Sequence, residues 1–179
     1  MSYVAVILAH PDLRNSHANR VLAEEIQQSE AVKISDLYGQ YPDFSIDVAK
    51  EQALIQNARA VVFQFPVYWY SSPALLKKWI DEVFAEGFAY GENGIALKDK
   101  PLLLAVTLGA EASFCAEKNE DGQASLFALS HTLKPFESTA VYCNMKWAGS
   151  FPVFAAETPA LDRLKEEAKR YRERLESFL

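Results

Sequence analysis

Two stretches of the chain, Tyr3–Ala9 (YVAVILA) and Pro101–Leu108 (PLLLAVTL), are almost unbroken apolar runs. Strands of a parallel sheet look this way when helices cover both faces; one wet face would give strict alternation instead. Ala60–Phe65 (AVVFQF) and Thr139–Met145 (TAVYCNM) read as further strands, and Val32–Asp36 (VKISD) as a shorter one. Between these the period changes. Ala18, Val21, Leu22 and Ile26 recur at helical spacing. Leu75, Leu76, Trp79, Ile80, Val83 and Phe84 form one helical face, with Lys77, Lys78, Asp81 and Glu82 on the other. Ser72 is positioned to cap that helix, and Pro73 suits its first turn. The clearest helix carries Leu161, Leu164, Ala168, Tyr171, Leu175 and Phe178, with Thr158-Pro159 as its start signal. A weaker one covers 47–57, capped by Asp47, with Val48, Ala49, Ala53 and Leu54 as its apolar face. Before it, LYGQYPDFSID has no clean period and reads as a long ordered loop.

Strand and helix alternate throughout, which specifies a doubly wound α/β domain with right-handed crossovers. No internal repeat, low-complexity tract or linker divides the chain, so residues 1–179 are expected to form a single domain. Composition fits: half the residues are hydrophobic and 23% are charged. The longest apolar runs reach about seven residues, far short of the roughly 20 that span a bilayer. The N-terminus lacks the basic region of a signal peptide and reads as a first strand, so a cytoplasmic protein is expected. A net charge of −6 argues weakly against nucleic acid as a partner. Cys115 and Cys143, with His10, His17 and His131, match no metal-ligand spacing.

Ligands of doubly wound sheets sit at the carboxyl ends of the strands, near the switch in strand order. Three loops there carry chemistry. The first is HPDLRNSHAN, residues 10–19. Asn15 or Ser16 can cap the helix that follows, whose N-terminus offers free N–H groups and a positive dipole end. Arg14 and His17 add donors, and without glycine the loop is neither a P-loop nor a GxGxxG turn. An ordinary capped helix would look the same. The second is FQFPVYWYSSP, residues 63–73, with Tyr68, Trp69 and Tyr70 in a row after Pro66. It is either a packed turn or a platform for a planar ring. The third is TLGAEAS, residues 107–113, where Thr107 supplies a hydroxyl and Gly109 permits close backbone approach; a plain strand exit is the alternative. Taken together, the three loops suit a flat ring carrying a phosphate. FMN fits better than NAD as the tightly held ligand, because there is one anion loop and no dinucleotide fingerprint.

FQFPVYWYSSPALLKKWIDEVFAEGFAYG resembles the flavodoxin-like NAD(P)H:quinone oxidoreductases, whose signature is Phe-Gln-x-Pro-x-x-Trp, then Pro-x-x-Leu-Lys-x-Trp and a Phe-Ala-Tyr turn. AHPDLRNSHAN is similar to their first phosphate loop, and SDLYGQYPDFSIDVAKEQ to a bacterial branch: ancillary proteins of glutathione-regulated potassium-efflux systems. The resemblance spans nearly the whole chain. It implies a five-stranded parallel sheet of order 2-1-3-4-5 and FMN as cofactor, with FAD the alternative. His10, Ser16, His17, Ala18 and Asn19 would hold the phosphate and ribityl end. Pro66, Val67, Tyr68, Trp69 and Tyr70 would line the isoalloxazine, and Thr107, Leu108, Gly109 and Ala110 its pyrimidine side. The family usually has Thr-Thr-Gly-Gly there, so Leu108 and Ala110 are departures. Many members follow with a tyrosine and a histidine that stabilise charge on the reduced ring. EASFCAEKNEDG has Phe114 and Cys115 near the tyrosine position and no histidine.

The implied activity is ping-pong: NAD(P)H reduces the flavin and leaves, and a quinone then takes two electrons in the same slot. Trp69 and Tyr70 would shape that slot, while Thr107, Gly109 and neighbouring N–H groups would stabilise charge. The family also implies a homodimer with the flavin near the interface, and a potassium-efflux transporter as partner, which would place the protein at the inner face of the membrane. Two other readings stand beside it: a mainly regulatory flavin-binding subunit with weak turnover, and a one-electron flavodoxin-type carrier.

Overall fold

The computed structural model describes residues 2–118 and 121–179. Its elements are β1 (Val4–Leu8), a short 3-10 turn (Leu13–Asn15), α1 (Ala18–Ile26), β2 (Val32–Asp36), α2 (Leu37–Gln40) and α3 (Val48–Gln56). They continue with β3 (Ala60–Pro66), α4 (Ala74–Val83), β4 (Pro101–Thr107), α5 (Leu129–Tyr142), β5 (Lys146–Val153) and α6 (Leu161–Glu176). The five strands pair in parallel in the order β2-β1-β3-β4-β5, the expected topology.

The unbroken apolar runs have a simple cause. Successive side chains of a strand point to opposite faces, and both faces here are covered. Ala5 and Ile7 of β1, Val61, Phe63 and Phe65 of β3, and Leu102, Leu104 and Val106 of β4 enter one core with Trp79, Phe84 and Phe136. Val4 and Val6, Ala60 and Val62, Leu103 and Ala105 enter the other, under Leu22 and Ile26 of α1 and Leu164 and Tyr171 of α6. Gln64 and Thr107 continue that second parity, so both project toward α1.

One expected strand is wrong. Residues 139–142 of TAVYCNM are the last turn of α5, and the strand follows at Lys146–Val153. A short apolar run cannot be assigned to helix or strand by period alone, and here Val141 and Tyr142 are exposed on the helix. The real β5 is an edge strand with a polar-mixed sequence, KWAGSFPV, and its pairing with β4 shifts register between Leu102 and Leu104. Gly149, at φ +80, sits in that irregularity, where an L side chain is strained. LYGQYPDFSID is also not loop throughout: Leu37–Gln40 form α2, whose Asp36 cap accepts from Gly39 N. Ser72 does not cap α4. Tyr38 Oη instead accepts from Leu75 N at 3.4 Å, so α2 serves the start of α4. Asp47 does cap α3, accepting from Lys50 N at 3.0 Å.

A buried carboxylate ties this half together. Glu51 is fully buried. Its Oε1 accepts from Ser35 Oγ at 2.9 Å and Tyr41 Oη at 2.8 Å, and its Oε2 from Trp79 Nε1 at 2.9 Å. Burial, and then the bond to Glu51, push the Tyr41 phenol well above its ordinary range, so it remains a donor. Replacing Glu51 with leucine orphans three buried donors and is expected to cost ~3 kcal/mol in urea unfolding; Trp79→Phe, which removes one donor, should cost ~1 kcal/mol more than the lost ring packing alone.

Candidate functional site

Parallel pairing aligns the ends of β1, β3 and β4: Leu8 lies beside Gln64, and Pro66 beside Thr107. The three loops that follow therefore meet. They enclose two adjoining cavities that share Val67 and Gly109.

The first cavity, about 430 Å³, lies over the start of α1. Its walls include His10, Ser16, His17, Ala18, Asn19, Pro66, Tyr68 and Thr107. Ser16, not Asn15, serves the helix start: its Oγ accepts from Asn19 N at 3.1 Å. Asn15 is held by Asp12 instead, donating to Oδ2 at 2.8 Å. The amides of His17 and Ala18 donate to no protein group among the described residues, so the helix end keeps free donors facing the cavity. His10 Nδ1 accepts from Asp12 N at 3.1 Å, which leaves the imidazole proton on Nε2. Burial holds the His10 pKa below its ordinary value, against an upward pull from Asp12 and Asp36. Arg14 does not line the cavity, contrary to the sequence expectation; Asp12 and Glu157 do. Backbone N–H groups, the Ser16 hydroxyl and a helix dipole thus face the cavity, with no lysine or arginine among its described lining residues, an arrangement that suits a phosphate.

The second cavity, about 230 Å³, is lined by Trp69, Tyr70, Leu108, Ala110, Phe114 and Phe127, among others. Its rim answers why three large rings stand in a row. Tyr68 and Ser71 exchange backbone hydrogen bonds at 2.9 and 3.0 Å around a two-residue turn. Both turn residues, Trp69 at φ +48 and Tyr70 at φ +60, are left-handed. Such turns ordinarily take Asn-Gly, and bulky residues there cost roughly 1–2 kcal/mol each. The rings are not turned inward to recover that cost: Trp69 is 93% exposed, Tyr70 52% and Tyr68 45%. Tyr70 stacks on Phe127, centroids 5.8 Å apart, and Phe127 on Phe114 at 4.7 Å. Strain and exposed aromatic area at one place are the mark of a binding edge. Cys115 lies behind this wall, and burial pushes its thiol up, away from the reactive thiolate.

All fourteen residues proposed from the sequence as cofactor-binding line one cavity or the other. The 107–110 segment differs in one respect from expectation. Leu108 N donates to Val153 O at 2.9 Å and is unavailable to a ligand, whereas Gly109 and Ala110 N–H have no protein acceptor among the described residues. Ala155 N and Ala156 N donate back to Ala110 O and Leu108 O, fixing the segment against the exit of β5. Glu157, on that exit, was not foreseen. A Cβ added at Gly109 would lie 2.7 Å from its Oε1, so the two residues touch. Phe127 was also missed, since it stands alone ahead of α5. Within EASFCAEKNEDG, Asn119 and Glu120 lie outside the described residues.

The family model for the flavodoxin-like fold matches residues 2–175. The glutathione-regulated potassium-efflux system ancillary protein KefF of Klebsiella pneumoniae is 43% identical over 172 residues, 96% of this chain and 94% of that protein. The uncharacterized NAD(P)H oxidoreductase YrkL of Bacillus subtilis is 41% identical over 174 residues, covering 97% of this chain and 95% of that protein. Among solved structures, general stress protein 14 of Treponema denticola in complex with FMN superposes with a TM-score of 0.90 at 36% identity over 99% of both chains. An NADPH-quinone reductase from P. pentosaceus gives 0.84 at 26% identity, covering 97% of each. With strand order, strand-end cavities and relatives in agreement, the chain belongs to the flavodoxin-like fold family, in its NAD(P)H:quinone oxidoreductase branch.

Proposed function

We propose that the protein binds FMN across the two cavities and reduces quinones with NAD(P)H in a ping-pong cycle. The observation that carries this is the junction of an anion-ready helix end and an exposed aromatic wall through Val67 and Gly109. A phosphate would sit on the amides of His17 and Ala18 and the hydroxyl of Ser16. His10, with its Nε2 proton, is a further donor. Gly109 and Ala110 N–H would meet the polar edge of a flat ring. Trp69 and Tyr70 would cover one side of the slot that nicotinamide and quinone use in turn. Bound FMN supplies the two-electron redox chemistry; the chain orients its partners and keeps water from the ring. We further propose a homodimer, which would cover the exposed Trp69 ring.

A regulatory role is a second reading. The KefF relative is an ancillary protein of a potassium-efflux system, and Phe114 and Cys115 stand where a charge-stabilising tyrosine is usual. Under this reading the chain docks on such a transporter from the inner face of the membrane. No helix among the described residues is long and apolar enough to cross it.

Purified protein should show flavin absorbance bands and should consume NADPH when menadione is added. Absence of both would remove the enzymatic reading. Trp69→Ala should lower turnover roughly tenfold through lost positioning, with little change in the stability of the monomer, in which the ring is exposed. If that variant activates a transporter as well as wild type does, activation does not track turnover. Ser16→Ala should weaken FMN about tenfold by fluorescence titration while leaving riboflavin, which lacks the phosphate, nearly unchanged.

A further inference from the structure

We propose that Gln64 is a positioning residue: acting through Asn19, it fixes the Thr107 hydroxyl as a hydrogen-bond donor into the first cavity. The inference rests on the flavin reading only for the identity of the ligand.

The Gln64 side chain has one permitted orientation. Its Nε2 lies 2.9 Å from the backbone oxygen of Asn19. A carbonyl oxygen only accepts, so the amide nitrogen must be on that side. Gln64 Oε1 is consequently left buried and without a partner among the described residues. An unpaired buried acceptor is costly, and reversing the amide would only set two oxygens against each other. The orientation then propagates. Gln64 Nε2 also faces Asn19 Oδ1, at 3.5 Å. Turning the Asn19 amide around would place two NH₂ groups face to face. Asn19 Nδ2 therefore points to Thr107 Oγ1 and donates at 2.7 Å. The hydroxyl oxygen accepts, and its own proton must go elsewhere. No protein acceptor among the described residues takes it, and Thr107 lines the first cavity.

Gln64, Asn19 and Thr107 are all almost wholly buried, so water does not scramble this order. The cavity thus presents an O–H donor at that point. It favours a ligand atom that accepts, such as a carbonyl oxygen, an unprotonated ring nitrogen or a sugar hydroxyl oxygen, over one that carries N–H. The same relay accounts for a glutamine within an otherwise apolar strand. The parity of β3 sends residue 64 toward α1, where only an amide can both anchor on a carbonyl and order a neighbour.

The test uses FMN affinity of apo-protein. Gln64→Met keeps the volume and removes the anchor; Thr107→Val removes the donor. Each should weaken FMN about tenfold. The double variant should be no weaker than Thr107→Val, because both act through one hydroxyl. Gln64→Glu adds a pH signature. A protonated carboxyl still donates to Asn19 O, while a carboxylate cannot. Relative to wild type at the same pH, affinity should be nearest at low pH and fall further behind as pH rises through that carboxyl's pKa, since the single carboxyl proton can serve Asn19 O and the carboxylate none. Additive losses in the double variant, or a pH-independent Gln64→Glu, would overturn the proposal. If wild type binds no FMN, the flavin reading falls. The relay is then decided by side-chain amide exchange in NMR: Asn19 NH₂ protons slowed in wild type and freed in both Thr107→Val and Gln64→Met support it, and exchange in Gln64→Met equal to wild type refutes it.

Discussion

Parallel registration of β1, β3 and β4 is the constraint on which everything else depends. Because Leu8, Gln64 and Ala105 lie level across three strands, the chain must leave the sheet three times at nearly the same height. Each exit carries a different chemistry: a helix start with free amides, an aromatic turn, and a hydroxyl followed by a glycine. The sheet makes them walls of one space, and the hydrophobic effect maintains it, since shifting a strand by one residue would exchange the contents of two cores.

The same two-residue parity explains which polar groups are buried. Apolar side chains fill both faces along most of β3 and β4, and the exceptions, Gln64 and Thr107, fall near the strand ends on the α1 side. On the opposite side Glu51 gathers donors from β2, the residues after α2 and α4. One network, Gln64–Asn19–Thr107, lies at the wall of the first cavity. The other locks the helices behind the aromatic turn, so that the strained Trp69–Tyr70 backbone is held between rigid supports.

Much of this was legible in the chain. Covered parallel strands announce themselves as continuous apolar runs, and the loops after them could be searched directly. What escaped did so for physical reasons. Thr139–Met145 mimics a strand because it is short, apolar and β-branched, yet Val141 and Tyr142 of that last helix turn are exposed, not core. Misplacing that strand hid the exit of β5, and with it Glu157. β5 itself, half-covered and bulged at Gly149, has no clean period to find. Arg14 looked like a phosphate ligand by proximity in sequence, but the 3-10 turn directs it outside the cavity. Phe127 joins the aromatic wall only through tertiary packing. The Ser72 cap failed because Tyr38, distant in sequence, had already taken the Leu75 amide.

The absence of lysine and arginine from the described lining of the first cavity has a kinetic corollary. No lysine or arginine lines it, while Asp12 and Glu157 do, on a chain of net charge −6. On the proposed reading, a phosphorylated ligand would therefore be repelled on approach and captured only at contact, by dipoles of short range. Its association rate should rise with ionic strength, the reverse of electrostatic steering, while its dissociation should barely respond.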